Sequence, residues 1–182
     1  MWNEQIIMML LEGIKDTLYM TLTSTLIGYV IGLPMGILLT VTDKDGIHPN
    51  TAVYKVLDVI ANLIRSVPFL ILLIVLIPFT RFLIGRSYGP TATIVPLVIA
   101  AAPYIARMVE SSLKEVDAGV IEAARSMGAS NFTIVTKVML VEARTSLIVG
   151  ATISLGTILG YSAMAAVSYT HLRAHETLAN LV

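Results

Sequence analysis

An all-α fold of several membrane-spanning helices is what this sequence predicts, and three observations carry the prediction. Of its 182 residues 56% are apolar and only 13% charged, where a soluble domain carries about 25% charged residues. The charges it has are cleared from four long windows, residues 17–42, 59–80 (interrupted by Arg65), 87–106 and 145–172. Lys and Arg are divided unequally between the connections that separate those windows. A helix needs about 20 residues to cross ~30 Å of hydrocarbon, so the windows predict four spans at roughly 18–41, 59–79, 90–107 and 146–166.

The first span contains Gly28, Gly32 and Gly36, overlapping small-x-x-x-small steps that let a second helix backbone approach closely. Packing within one subunit explains such a stripe more simply than an interface between subunits. Pro34, Pro68, Pro78, Pro96 and Pro103 fall inside the expected spans. Each removes a backbone donor, which lipid tolerates only where neighbouring helices or a wet cavity re-satisfy the backbone. Bent helices lining a transport path and the general abundance of proline in membrane helices account for this equally well. The third span is the least regular, because Gly89, Pro90, Pro96 and Pro103 interrupt it. Arg65, inside the second, can snorkel to the headgroups.

Orientation follows from the basic residues. Lys44, Lys55, Arg107, Lys114, Arg125, Lys137 and Arg144 lie on one side and Lys15, Arg81 and Arg86 on the other. The loop 108–144 is therefore expected in the cytoplasm and the N-terminus outside. Glu4, Glu12 and Asp16 precede the first apolar run, where a signal peptide would be basic.

That loop carries its own helical signals. Asp117 is a candidate N-cap, followed by an apolar face of Val120, Ile121, Ala124 and Met127. Gly128 can end the helix in a left-handed conformation. Ser130 is a second candidate N-cap, and Phe132, Val135, Val138 and Met139 form the next stripe. Two short helices joined at a glycine corner result; a purely structural linker would show the same pattern.

Several chemistries are excluded. No cysteine is present, which removes disulfides, thiolate metal sites and a cysteine nucleophile. Twelve basic and twelve acidic residues leave no formal net charge, so there is no basic excess for nucleic acid. No GxxxxGK[ST] phosphate loop occurs, so the chain does not itself hydrolyse ATP and is not expected to be an enzyme. His171 and His175 have helical metal-ligand spacing without a further ligand set, and no metal site is expected. A proton-coupled carrier would place an acid or histidine at mid-membrane, and none stands there.

Glu122, Ala123, Ala124 and Gly128 match one by one the EAA loop of ABC importer permeases. IGLPMGILL (31–39), RSVPF (65–69), IPFTRFLIG (77–85), IVPLVIAAAPYIARMVE (94–110) and GYSAM (160–164) together resemble the permeases of methionine ABC importers, over about residues 8–165. The resemblance implies a transmembrane helical bundle of the importer-permease type, with five spans where four are seen. It implies a bacterial inner-membrane subunit that works with a second copy of itself, two ATPase subunits holding ATP and Mg, and an extracytoplasmic substrate-binding lipoprotein. Glu122, Ala123, Ala124 and Gly128 would form the coupling helix that docks on the ATPase. The family has proline thirteen residues after the glycine; here that position is Val141. Met164, Tyr161, Pro68 and Pro103 are candidates for lining the translocation path, although packing is the commoner role of such a methionine. A permease for another amino acid remains the alternative, and a secondary carrier a weaker one.

The resemblance stops after GYSAMA. The remainder, AVSYTHLRAHETLANLV, resembles translated sequencing-adapter read-through. Residues 1–165 are therefore read as the transmembrane domain and 166–182 as a non-native tail.

Overall fold

A computed structural model describes residues 4–179, with side chains described through Ser168. All regular structure among the described residues is helical. Helix α1 runs Glu4–Thr42, α2 Thr51–Ser66, α3 Phe69–Val75, α4 Ile77–Ile84, α5 Pro90–Lys114, α6 Ala118–Ser126 and α7 Asn131–Thr133. A π-helical turn follows at Ile134–Met139, then α8 Leu140–Glu142 and α9 Arg144–Ala179. Helices α1, α5 and α9 are each long and apolar enough to cross a membrane, and α2 with α3 makes a fourth if the bent pair counts as one span.

The core is α5. It packs along α1 in parallel register, with Gly28 against Ala101 and Ile105, Gly32 against Ala102 and Ile105, and Gly36 against Ala106 and Val109. The glycine stripe thus works inside one subunit. At Gly32 and Gly36 the approach is to backbone: an added Cβ would lie 2.6 Å and 2.5 Å from the carbonyl oxygens of Ala102 and Ala106. Helix α9 crosses α5 in the opposite direction, through Tyr104–Thr157 and Ser112–Ser146 hydroxyl contacts of 3.5 and 3.1 Å. Ile105, Val109, Leu113, Ile134 and Ile158 are almost fully buried between these elements.

Two expectations change. The second span, expected as one helix over 59–79, is broken into α2, α3 and α4, and α2 meets α3 at 101°. Val67 is extended (φ −85°, ψ 124°), as a residue before proline is pushed to be. Pro68 then caps the next helix from outside it. The third span, expected to be irregular, is instead one uninterrupted helix of 25 residues. Pro90 stands at its first turn, where its missing N–H costs nothing. Pro96 and Pro103 lie inside it and are buried, and packed neighbours can hold a helix together across such a gap.

The first and last expected spans lie within longer helices. At ~1.5 Å per residue the 39 residues of α1 exceed the bilayer core. Helix α9 continues past residue 166 to Ala179. The side chains from residue 169 onward, including His171 and His175, lie outside those described, as do residues 180–182, so most of the tail reading falls outside them.

Candidate functional site

The loop between α5 and α9 folds as a capped corner. The Asp117 carboxylate accepts a hydrogen bond from the Gly119 N–H at 2.7 Å, satisfying one of the orphan donors that open α6. At the other end the Gly128 N–H donates to the Arg125 carbonyl at 2.9 Å and the Ala129 N–H to the Ala124 carbonyl at 3.1 Å. These paired bonds are the Schellman closure, which needs a left-handed residue at Gly128, where φ is +80°. Ser130 Oγ then accepts from the Thr133 N–H at 3.3 Å and opens the next helix.

Within the corner the expected apolar faces hold only in part. Ala124 is buried and Ile121 packs beside it, but Met127, the last residue before the glycine, is 82% exposed. In the second stripe Val135 and Met139 are buried and Val138 packs on them, together with Ile134, which the spacing did not single out. Phe132 is 78% exposed instead. Phe132 stands in the short helix ahead of the π-helical turn, and the buried face runs through Ile134 and Val135 and then Val138 and Met139, an ordinary helical spacing that leaves position 132 to one side. The corner therefore presents Glu122, Met127 and Phe132 outward while Ala124 anchors it.

Arg125 fastens the corner to the rest of the molecule, donating from Nη2 to the Ile47 carbonyl at 2.8 Å. Beneath α6 lies a cleft of ≈ 480 Å³ between the 43–47 turn, the end of α5 and α6, with Asp43, Lys114, Glu122 and Arg125 in its walls. On its far side a charged ladder begins that the sequence reading did not find. Lys114 Nζ bonds Asp43 at 2.6 Å and Glu110 at 2.8 Å. Glu110 also accepts from Arg107 at 2.7 Å, and Arg107 pairs with Asp58 of α2. Glu110 is 6% exposed at its side chain, a burial that a carboxylate accepts only when paired. Outside the spans, the bond from Lys114 holds the Asp43 carboxyl below its ordinary value. The available signal was the spacing of Arg107, Glu110 and Lys114, which puts all three on one face of a helix.

Of the path candidates, Tyr161, Met164 and Pro68 come to one region where α9 meets α3. Tyr161 stacks on Phe69, the residue after Pro68, with ring centroids 4.6 Å apart and planes inclined 9°. Met164 is half-exposed one turn along α9. Pro103 is buried in α5, and a buried ring offers a path almost no surface. Among the described residues no cluster of His, Cys, Asp and Glu could hold a metal ion.

Residues 8–169 match the profile of the binding-protein-dependent transport system inner membrane component. The chain belongs to that family. As a binding-protein-dependent transport component it is an inner-membrane permease subunit and not an enzyme. The D-methionine transport system permease proteins MetI of Salmonella typhimurium and Escherichia coli are each 50% identical to it over 162 residues, 89% of this chain and 75% of theirs. A probable D-methionine permease of Vibrio cholerae is 43% identical over 157 residues, 86% of this chain and 70% of its own. The native crystal form of the inward-facing MetNI methionine ABC transporter superposes with a TM-score of 0.88 at 50% identity, over 90% of this chain and 76% of that one. An amino-acid ABC transporter with histidines, at 24% identity and a TM-score of 0.67, shares the fold of this transport component.

Proposed function

We propose that this chain is the permease subunit of an ATP-driven importer that carries methionine into the cytoplasm. Two copies would form the membrane pathway, two separate ATPase subunits would bind ATP and Mg, and an extracytoplasmic binding lipoprotein would deliver the substrate. The N-terminus lies outside and the loop 108–144 in the cytoplasm. Glu122, Ala123, Ala124 and Gly128 form the docking corner for the ATPase. The observation that carries this reading is the corner itself, a helix closed at Gly128 with φ +80° and pinned to the 43–47 turn by Arg125. Met127 and Phe132, both largely exposed, and Glu122 beside them in sequence are available to a groove on a partner.

The mechanism follows from rigidity. Closure of the ATPase pair would displace the corner; the small exposed Ala123 lets the partner seat closely, and the buried Ala124 seats the corner on its own chain. A mobile loop would absorb that displacement, whereas a capped helix transmits it. Methionine as cargo rests on the likeness to methionine permeases along α1, α5 and α9, whereas the corner is common to importers of other amino acids. The test is reconstitution of the permease with its ATPase subunits and binding protein in proteoliposomes. Uptake of radiolabelled methionine that requires ATP supports the reading, and ATP-driven uptake of a different amino acid in its place overturns the substrate.

A further inference from the structure

Helix α2 is attached to the bundle by its polar side. Tyr54, Asp58, Asn62 and Arg65 follow one another at helical spacing along the face it turns to α5. Tyr54 Oη lies 3.5 Å from Glu110, Asp58 pairs with Arg107, Asn62 accepts from Arg107 at 2.9 Å, and the Arg65 guanidinium stands 5.9 Å from the centre of the Tyr104 ring. The apolar stripe of Val56, Val59, Ile60 and Leu63 points away and is exposed. Ala61 is the buried residue of this helix.

Such a contact differs in kind from that between α1 and α5. Interlocked glycines and β-branched side chains hold one geometry, because any shift opens voids or forces overlap. A guanidinium shared among acceptors can release some of them and keep others. Arg107 Nη1 is bound to Glu110 on its own helix, while Nη2 is bound to Asp58 and Asn62 on α2. If α2 moved away, Arg107 would remain paired, and Asp58, already 32% exposed, would return to water. No buried charge would be stranded, which is the step that makes breaking an ion pair costly.

We infer that Arg107 is a positioning residue, a releasable latch between α5 and α2 through which movement of the 118–142 corner reaches the broken second span. The route is continuous. The corner holds the Ile47 carbonyl through Arg125, and the same turn holds Lys114 through Asp43. Lys114 shares Glu110 with Arg107, Arg107 holds Asp58, and α2 leads through Pro68 into the 101° bend with α3. Three carboxylates surround two cations along this line, so release of Asp58 leaves the remaining groups balanced. The inference rests on the importer reading.

The test uses the complex of permease and ATPase subunits in proteoliposomes, with methionine uptake and ATP hydrolysis measured in the same vesicles. Asp58→Ala is expected to assemble and hydrolyse ATP while uptake per ATP falls about tenfold, within the usual range of coupling energies. Asp58→Glu is expected to restore it, and Arg107→Lys, which cannot fork between two helices, to restore it only partly. Unchanged uptake per ATP in Asp58→Ala, or a loss that merely follows the amount of assembled complex, overturns the latch. A second measurement needs no transport. Spin labels at Val59→Cys and Ser111→Cys, in a chain without native cysteine, report the α2–α5 separation. It is expected to differ between nucleotide-free and ATP-bound complex, and a separation independent of nucleotide overturns the latch. A wild-type complex whose helices separate but which takes up no methionine overturns the substrate reading and leaves the latch standing.

Discussion

Gly36 meets Ala106 so closely that a Cβ on Gly36 would come within 2.5 Å of the Ala106 carbonyl oxygen. A backbone oxygen inside an intact helix cannot rotate aside as a side chain can. The substitution Gly36→Ala therefore sets two effects against each other. Alanine gains about 1 kcal/mol of helix propensity over glycine, and overpacking costs about 1–3 kcal/mol. With backbone on one side and Val109 at 2.7 Å on the other, overpacking wins. Gly36→Ala is expected to lower the thermal midpoint of the purified protein in detergent. Gly13→Ala in the same helix, with nothing within 4 Å, is expected not to. Equal midpoints for both variants would contradict the close approach.

The corner makes a different prediction. Nothing crowds Gly128, so its requirement is conformational alone, and a left-handed residue costs an L-amino acid about 1–2 kcal/mol. Gly128→Val is expected to spare membrane insertion and abolish ATP-driven uptake, because the helix end loses its closure. Glu122→Lys is expected to do the same by reversing a charge on the docking surface. Uptake at the wild-type rate by either variant in membrane vesicles would argue against its share in coupling.

Acid should loosen the 43–47 turn. The bond from Lys114 holds the Asp43 carboxyl below the ordinary 3.8, so the folded state binds that proton less readily than the unfolded chain. Its contribution to stability is present above about pH 4 and is lost as pH falls through the depressed value. Asp43→Asn is expected to lower stability near neutrality and to flatten its decline below about pH 4. Thermal melts as a function of pH in a non-denaturing detergent would show it. Parallel curves for the two proteins would mean that the pair adds nothing.

Two copies meeting about an axis should be visible by crosslinking. Single cysteines placed along α3, α5 and α9, on a chain that has none, are expected to give disulfide-linked dimers at a subset of positions when oxidised in membranes. Only monomers across the whole scan would remove the dimeric pathway.

Much of the corner was legible beforehand. Asp117, Gly128 and Ser130 act through their own backbones and near neighbours, so their roles follow from residue type and spacing. Phe132 was misplaced because the buried face is centred on Ile134 and Val135, and in a stretch where apolar residues stand at 132, 134, 135, 138 and 139 spacing alone does not choose between the two faces. The ladder from Asp43 to Asp58 was missed for another reason. Asp43 and Asp58 lie about fifty residues or more before their partners on α5, and only the spacing of Arg107, Glu110 and Lys114 was open to reading.

By itself the sequence determined that the chain is helical, that it enters the membrane, and where a capped helical corner interrupts the apolar spans. Composition, charge-free length and capping chemistry are local properties, and water and lipid sort them in the same way whatever the neighbours. The tertiary structure alone decided how each proline acts and which helix the glycines serve. Pro68 breaks its span, because the residue before it is held extended and the chain turns through 101° there. Pro96 and Pro103 do not break theirs, because α5 is buried among α1, α2 and α9, and packing there outweighs the missing hydrogen bonds. The glycine stripe could have met another subunit equally well from its spacing; the Ala102 and Ala106 carbonyls, brought up by the parallel register of α1 and α5, occupy the space that glycine leaves.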